Sequence, residues 1–225
     1  MNFKKLRHLV FGFLKSVFYN FKLLPFSQAV HLPIVVSEKT RLNIKRGGIK
    51  FGSCKINFGL ITIGIWDGDD CIGERMSSSI IVEKGSFIQF DGRVSFASGL
   101  HMSICNQGYI VFGNCDHFNA NVHIICRNHI IINSDCNISW NCTIMDTDLH
   151  NFQDDSTGGL KDNSILIGKH CLICSDTKIL KGVVLGDYSI VGANTLLPRG
   201  TYPSGYCYIN ALSIKKLPSN TKNMK

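Results

Sequence analysis

The sequence predicts an all-β fold, a coiled β-solenoid preceded by one amphipathic helix. Two observations lead to this prediction: aliphatic residues return every six positions in the second half of the chain, and glycine (21 residues) outnumbers proline (5). The composition excludes an unfolded chain, since 44% of the 225 residues are hydrophobic and 18% are charged. No run approaches the roughly 20 uninterrupted apolar residues that a membrane-spanning helix requires.

The N-terminal segment is predicted to form the helix. Its apolar residues recur at three- and four-residue steps, as in an amphipathic helix: Phe3, Leu6, Leu9, Val10, Phe13, Leu14, Val17 and Phe21. Its charged residues are all cations: Lys4, Lys5, Arg7, Lys15 and Lys22. Two interpretations stay open, peripheral contact with the inner, anionic surface of the plasma membrane or packing on its own domain or a neighbouring subunit. A secretory signal is not expected, because Lys15 interrupts the apolar stretch.

The hexad repeat follows a connector bounded by Pro25 and Pro33. The leading aliphatic residues are Ile167, Ile173, Ile179, Leu185, Val191 and Leu197, and a smaller residue follows each of the first five after four positions: Cys171, Thr177, Val183, Ser189 and Thr195. The same phase appears earlier, with slips between blocks, in Phe90, Phe96, Met102, Phe112, Phe118, Ile124, Ile132, Ile138 and Ile144. We therefore expect a helix and connector over 1–33, the solenoid over 34–210 and a C-terminal tail over 211–225.

A period of six is typical of a solenoid in which each hexad is one short strand and one corner. Three hexads complete a turn, and turns stack at the strand spacing of about 4.8 Å. The leading aliphatic and the smaller residue both point inward, and glycine or asparagine eases the corner, where positive φ is often needed. A single turn buries no core, so stacking provides the stability.

The cysteines fit this repeat as small core residues of a protein in a reducing cytoplasm. Cys136, Cys142 and Cys171 occupy interior positions of the hexads. Cys171 and Cys174 also form a CxxC motif, but without a second such pair we interpret both as structural rather than as zinc ligands.

The repeat stops between Ile144 and Ile165, and the interruption is the candidate functional segment. It contains Asp146, Asp148 and His150 within five residues, in an active-site loop placed at about 145–164. Excursions at solenoid corners commonly hold functional residues. An imidazole titrates near neutrality and a nearby carboxylate can fix its tautomer, which suits proton transfer. A solvated polar loop with an incidental histidine is the alternative.

Residues on both sides of this loop resemble the hexapeptide-repeat acyltransferases. The matching segments run from Ile138 to His150, from Ile167 through Asp187, and from Val191 to Thr195. The similarity is greatest to O-acetyltransferases of bacterial surface-polysaccharide clusters. It implies a left-handed parallel β-helix, a homotrimer, a cytoplasmic location, and transfer of an acetyl group from acetyl-CoA to a sugar hydroxyl.

The resemblance also implies roles for individual residues. His150 would be the general base that deprotonates the acceptor hydroxyl, oriented by Asp148 or Asp146, with no covalent intermediate and no metal. Asn141 and Trp140 would contact the sugar or glycan acceptor. Acetyl-CoA would lie between subunits along Ser175 and Ala193, and the CoA phosphates would contact Arg199, Lys215 and Lys216. A backbone N–H near Ser175 would face the developing oxyanion.

Other functions are weighed against this one. His117, His123 and His129 are spaced six apart, which suggests an outward polar column on one face, or less favourably a zinc site. A non-catalytic β-helix scaffold or binding module and an N-acetyltransferase acting on an amino sugar also remain open. The net charge of +8 suggests nucleic-acid binding as a further function. The cations, however, lie at the two ends of the chain, and the repeats contain no groove in which basic and aromatic residues alternate, so no nucleic-acid partner is expected.

Overall fold

The computed structural model describes residues 3–65, 76–149, 163–209 and 213–216, and the side chains of all of these except 3–9 and 213–216. The described helices are α1 (Phe3–Leu23) and α2 (Phe26–Ala29). The strands of the first half are β1 (Ile34–Val36), β2 (Thr40–Ile44), β3 (Ile49–Phe51), β4 (Ile61–Ile63), β5 (Ser78–Val82), β6 (Phe87–Phe90), β7 (Val94–Phe96), β8 (His101–Ile104), β9 (Tyr109–Phe112), β10 (Asp116–Phe118), β11 (His123–Cys126) and β12 (His129–Ile132). Those of the second half are β13 (Asn137–Ile138), β14 (Thr143–Met145), β15 (Ile165–Ile167), β16 (Leu172–Ile173), β17 (Lys178–Leu180), β18 (Val183–Leu185), β19 (Ile190–Val191), β20 (Leu196–Leu197), β21 (Gly200–Tyr202), β22 (Tyr206–Ile209) and β23 (Ser213–Lys216).

Consecutive strands enter three different sheets in rotation, which produces a coil with three faces. Sheet 1 has the order β1-β4-β7-β10-β13-β16-β19-β22-β23, sheet 2 the order β2-β5-β8-β11-β14-β17-β20, and sheet 3 the order β3-β6-β9-β12-β15-β18-β21. All pairs are parallel except β22 with β23. We call the bend from sheet 1 to sheet 2 the first corner, from sheet 2 to sheet 3 the second, and from sheet 3 to sheet 1 the third.

The strand register confirms three hexads per turn in the C-terminal coils and explains the earlier slips. Paired residues there are 18 positions apart, as in Leu166 with Val184 and Leu172 with Ile190, and 17 apart in the last coil. In the middle coils the separation is 20 to 22 positions, as in Tyr109 with His129 and His101 with His123, and in the first coils it is 27 to 39. The longer coils place their extra residues at corners, so that on each strand the same positions again point inward.

The interior of the coil holds the residues that the repeat predicts. The leading aliphatics from Ile167 to Leu197 and the smaller residues from Cys171 to Thr195 are all at most 1% exposed. The middle coils are filled by larger rings, and Phe112 lies at the centre of them, with its ring centroid 5.6 Å from that of Phe90, 5.2 Å from that of Phe96 and 5.3 Å from that of Phe118. The core is therefore aromatic in the middle of the coil and aliphatic on both sides of it.

The three interior cysteines are confirmed as core residues, and Cys126 is buried with them, whereas the other described cysteines are half-buried or exposed. Cys136, Cys142 and Cys171 are buried, and Cys174 is half-buried directly after β16. The Cys136 Sγ lies 3.0 Å from the Gly168 carbonyl oxygen. Cys115, in contrast, is exposed on the third corner with a φ of 62°.

The expected role of corner glycines is wrong for Gly168 and Gly186. Neither has a positive φ; that conformation falls two positions later, on His170 and Tyr188. A Cβ on Gly168 would come within 2.5 Å of the Asp187 backbone nitrogen on the next coil. These glycines are required by the close approach of stacked corners, whereas asparagine, as at Asn141 (φ 59°), does adopt the left-handed conformation.

The three histidines spaced six apart do not form a column. His117 lies in sheet 1, His123 in sheet 2 and His129 in sheet 3, because a step of one hexad is a step of one face. Outward columns instead join residues about one turn apart. The ring of His123 lies 5.1 Å from that of His101, and the ring of His129 lies 4.5 Å from that of Tyr109.

Helix α1 caps the N-terminal edge of the coil with polar side chains. The buried Asn20 amide donates to the Ile34 carbonyl and accepts from the Ile34 N–H, at 2.7 and 3.1 Å. The Ser16 hydroxyl accepts the Val36 N–H at 2.9 Å, and the Tyr19 hydroxyl accepts the Leu42 N–H at 3.1 Å. These bonds satisfy the free edges of β1 and β2, which would otherwise be open to pairing with another chain.

The C-terminal end of sheet 1 is extended by β23, in the segment predicted to be a tail. It pairs antiparallel with β22, and the pairs include Tyr206 with Lys216 and Cys207 with Lys215. No helix in the described part of the chain is long and apolar enough to cross a membrane.

A buried carboxylate in β10 predicts pH-dependent stability. Asp116 is 1% exposed, and desolvation raises its pKa to about 7 although its Oδ1 accepts the Cys136 N–H at 3.0 Å. The folded state therefore holds a proton that the unfolded state releases near pH 4, and the free energy of unfolding falls as the pH rises from about 4 to about 7, by up to about 4 kcal/mol. Asp116→Asn keeps the acceptor and is expected to flatten this slope in urea titrations at pH 4.5 and 8; an equal pH dependence in both proteins would contradict the assignment.

Candidate functional site

The predicted active-site loop leaves the coil at the second corner without disturbing the sheets. Ile130 pairs with Ile165 across 35 positions, whereas the next turn in the same sheet, from Leu166 to Val184, takes 18. The extra residues are inserted between β14 and β15. The structure describes the beginning of the loop through Leu149 and its end from Asn163, whereas His150 lies outside the described residues.

The two carboxylates before His150 have different environments. Asp146 is fully buried, and its carboxylate accepts the N–H groups of Arg127 and Asn128 at 2.7 and 2.8 Å and the Cys126 thiol at 3.3 Å. Burial raises the pKa of Asp146 despite these bonds. The Asp146 side chain therefore holds the second corner of the preceding coil.

Asp148 lies on the outside of the same corner. Its side chain is 51% exposed and forms an ion pair with Lys181, which occupies the second corner of the following coil. Of the two candidates, Asp148 is the carboxylate that remains accessible next to the loop. Sequence analysis did not single out Lys181; the register of Met145 with Leu180 is the signal that places it beside the loop.

Arg199 lies at the other end of the loop. Its guanidinium donates to the Asn163 side-chain oxygen and lies over Gly182, where a Cβ would come within 2.5 Å of Nη1. Gly182 also has a φ of +73°, so glycine is required there on two grounds. Lys181 and Arg199 thus hold the two ends of one loop, and both are positive.

The first corner gathers four of the predicted binding residues on successive coils. The Asp176 N–H donates to the Trp140 carbonyl at 2.9 Å, and the Asn194 N–H donates to the Ser175 carbonyl at 3.0 Å. Trp140 and Asn141 therefore stack below Ser175, with Ala193 above it.

The side chain of Asn141 belongs to a ladder along this corner. It donates to Asp176 Oδ1 at 3.1 Å and accepts from the Asn121 amide at 2.9 Å. Trp140 is half-buried, and in the described part of the chain its Nε1 has no hydrogen-bond partner. The ladder therefore fixes the orientation of the Asn141 side chain at this corner.

The predicted site residues of one chain do not form a single cluster. Ser175 and Ala193 lie on the first corner, whereas the loop and Arg199 lie on the second, with sheet 2 between them. Lys215 and Lys216 lie in β23 at the end of sheet 1, and their side chains are outside the described set.

The outer face of sheet 2, between these two corners, presents His101 and His123. Burial and the neighbouring His101 lower the pKa of His123, and its Nε2 lies 3.3 Å from Asn121 Oδ1. Across the described ranges, no three histidine, cysteine or acidic side chains are grouped so that they could hold a metal ion.

The repeat and the three-sided coil define a class, and two comparisons agree on it. Residues 164–199 match the family model described as "Bacterial transferase hexapeptide (six repeats)". Among solved structures, the chain is similar to the polySia-specific acetyltransferase NeuO, with 14% identity, 82% of this chain and 80% of that chain covered, and a TM-score of 0.54. A search of curated proteins found no match.

These findings confirm the predicted fold and the resemblance on which it rests. The chain is an all-β protein, a left-handed parallel β-helix with an N-terminal amphipathic helix, and residues 164–199 carry the repeat that the family model describes. The left hand departs from the usual right-handed crossover between parallel strands.

Proposed function

We propose that the protein is an acetyltransferase that moves an acetyl group from acetyl-CoA to a hydroxyl of a sugar in a cell-surface polysaccharide or its precursor. The observation on which this depends is the loop at the second corner, which begins with Asp146, Asp148 and His150 and is held by Lys181 and Arg199. The family model of bacterial transferases and the likeness to a polySia acetyltransferase support the reaction class and the kind of acceptor. Because acetyl-CoA is a cytoplasmic metabolite, a cytoplasmic location is part of the proposal.

In the proposed reaction, His150 acts as the general base. The acceptor hydroxyl oxygen attacks the thioester carbonyl carbon while its proton passes to the imidazole. The tetrahedral intermediate then collapses, the carbon–sulfur bond breaks, and the CoA thiolate takes up a proton. General-base assistance of this kind contributes about 10²–10⁴-fold to the rate, and no covalent enzyme intermediate is needed.

Asp148 is the carboxylate that we assign to orient His150. Asp146 is unsuitable because it is buried and engaged with the turn at Arg127 and Asn128. Asp148 is two residues before the histidine in the sequence and is exposed on the second corner, where Lys181 limits its orientations.

The first corner is the proposed path for acetyl-CoA. Ser175 is half-buried and Ala193 is exposed, so both leave room for a narrow chain. The N–H groups of Cys174 and Asp176 donate to backbone carbonyls, whereas within the described residues no backbone carbonyl accepts the Ser175 N–H. That N–H is the proposed donor to the oxyanion. Trp140 and Asn141, on the coil below, are the proposed acceptor contacts.

A complete site then requires more than one copy of the chain. Because the first and second corners lie on opposite sides of sheet 2, we propose a homotrimer in which the first corner of one copy adjoins the loop of the next. In this arrangement Arg199 of one copy and Lys215 and Lys216 of another supply positive charge to the CoA phosphates.

The test is to incubate the full chain with acetyl-CoA and a panel of bacterial surface glycans. We expect release of free CoA, measured by chromatography, and a gain of one acetyl mass on at least one glycan. Mild alkali should remove that group, because it cleaves an ester and leaves an amide; an alkali-stable product would identify an N-acetyltransferase. Absence of both CoA release and mass gain with every acceptor would contradict the proposal in favour of a scaffold.

A further inference from the structure

Helix α1 has an inverted arrangement of polar and apolar faces. The side that packs on the coil consists of small and polar residues with one leucine: Gly12, Ser16, Tyr19, Asn20 and Leu23. Its hydrogen bonds to β1 and β2 fix the helix to the N-terminal edge of the coil. The apolar stripe that the sequence predicts is therefore not the side buried against the protein.

The outward side of α1 is a continuous apolar surface. Its members are each about half exposed: Val10 (48%), Phe11 (54%), Phe13 (51%), Leu14 (57%), Phe18 (58%) and Phe21 (45%). The surface continues onto α2 and the residue after it, since Phe26 is 71% exposed with its ring 6.0 Å from that of Phe21, and Val30 is 47% exposed. We call these eight residues the apolar face. Exposed apolar surfaces of this extent are typical of interaction sites.

The charged residues of α1 itself are all cations, although Glu38 lines the cleft beside Phe11 and Leu14 together with Lys15 and Lys39. The first acidic residue of the chain is Glu38, whereas the helix contains Lys4, Lys5, Arg7, Lys15 and Lys22. The Lys22 ammonium lies 5.5 Å from the centroid of the Phe18 ring, at the border of the apolar face. Lys15 lies on the same border and donates to the Glu38 carbonyl.

This combination selects among possible occupants. A second copy would bring two sets of cations together, and a neutral apolar partner would leave the lysines unmatched. A bilayer with anionic lipids accepts both features, because aromatic and aliphatic side chains enter the acyl boundary while lysines remain at the headgroups. Phenylalanine also brings large apolar area for each residue inserted.

We propose that α1 and α2 dock the protein on the surface of an anionic lipid bilayer, with the apolar face inserted and the helix axis in the membrane plane. The polar cap on β1 holds the helix in place, so docking turns the N-terminal end of the coil toward the membrane. The proposal does not depend on the proposed activity.

The experiment is flotation of the full chain with vesicles of phosphatidylcholine, alone or mixed with phosphatidylglycerol. We expect flotation with the anionic vesicles that weakens with added salt. The double variant Leu14→Glu with Phe18→Glu should bind at least about tenfold more weakly, since it places two charges in the inserted face. Lys22→Gln should weaken binding about fivefold, as expected for one cation near an anionic surface.

The control variant is Val184→Glu, which adds one glutamate, as each change of the double variant does, at a 39% exposed apolar residue of sheet 3, and it should bind as the unmodified chain does. Thermal unfolding checks that the double variant, whose changes avoid the buried side of α1, keeps its fold. Absence of flotation, equal binding to phosphatidylcholine alone, or binding retained by the double variant would overturn the proposal. If light scattering shows that the double variant dissociates an assembly, the apolar face is an interface between copies instead.

Discussion

Replacing His150 with alanine is expected to lower kcat/KM for acetyl transfer by about 10²–10⁴-fold, the usual contribution of a general base. The alanine leaves the acceptor hydroxyl without a proton acceptor while the binding residues on the first corner are unchanged. The loss should therefore appear in kcat, with KM for acetyl-CoA little altered. Initial rates of CoA release with the best acceptor from the glycan panel provide the measurement.

The matched control is His117→Ala, which removes an imidazole from the outer face of sheet 1. His117 is exposed, and its Nδ1 lies 2.6 Å from the Ser95 hydroxyl, so its role is local. This variant is expected to retain full activity. If the His150 variant also retained its rate, the general base would have to be sought elsewhere, and the proposed mechanism would be wrong even though the fold is unchanged.

Replacing Phe112 with alanine is expected to lower the free energy of unfolding by about 3–5 kcal/mol, the range for truncating a buried aromatic side chain. Phe112 is fully buried and lies between the rings of Phe90, Phe96 and Phe118. Neighbouring coils are held by strand hydrogen bonds and cannot collapse into the space, so the cavity remains. Urea unfolding followed by circular dichroism measures the change.

Phe58→Ala makes the same chemical change at a ring that is 63% exposed. It is expected to change the free energy of unfolding by less than about 1 kcal/mol, because little area leaves the interior. A loss of equal size in both variants would mean that the aromatic part of the core contributes no more than an exposed ring, contrary to the packing described above.

The hexad period by itself predicts which residues form the interior of the coil. A side chain in a short strand points either inward or outward, so a six-residue return of Ile167, Ile173 and Ile179 is sufficient to define the inward row. The interruption after Ile144 likewise predicted where a loop must leave the coil. The Cys136 and Cys142 positions followed from the same phase, and burial confirmed them.

The candidate site was predictable only in part. The pattern placed Asp146, Asp148 and His150 in one loop, but the two carboxylates differ because Asp146 turns back to the backbone of Arg127 and Asn128. The involvement of Lys181 and Arg199 depends on how coils stack across a 35-residue turn. A one-dimensional pattern does not contain that stacking.

The sequence by itself determined the periodicity, the strands and the inward rows, because these depend on spacing along one strand. Tertiary structure decided which residues share a face, since a step of six residues turns the chain by one face and separates His117, His123 and His129. It also decided the orientation of α1. The backbone N–H and carbonyl groups on the free edge of β1 require hydrogen-bond partners when they are buried. Ser16 and Asn20 provide these partners, so the polar side of α1 faces the coil and the phenylalanines face outward.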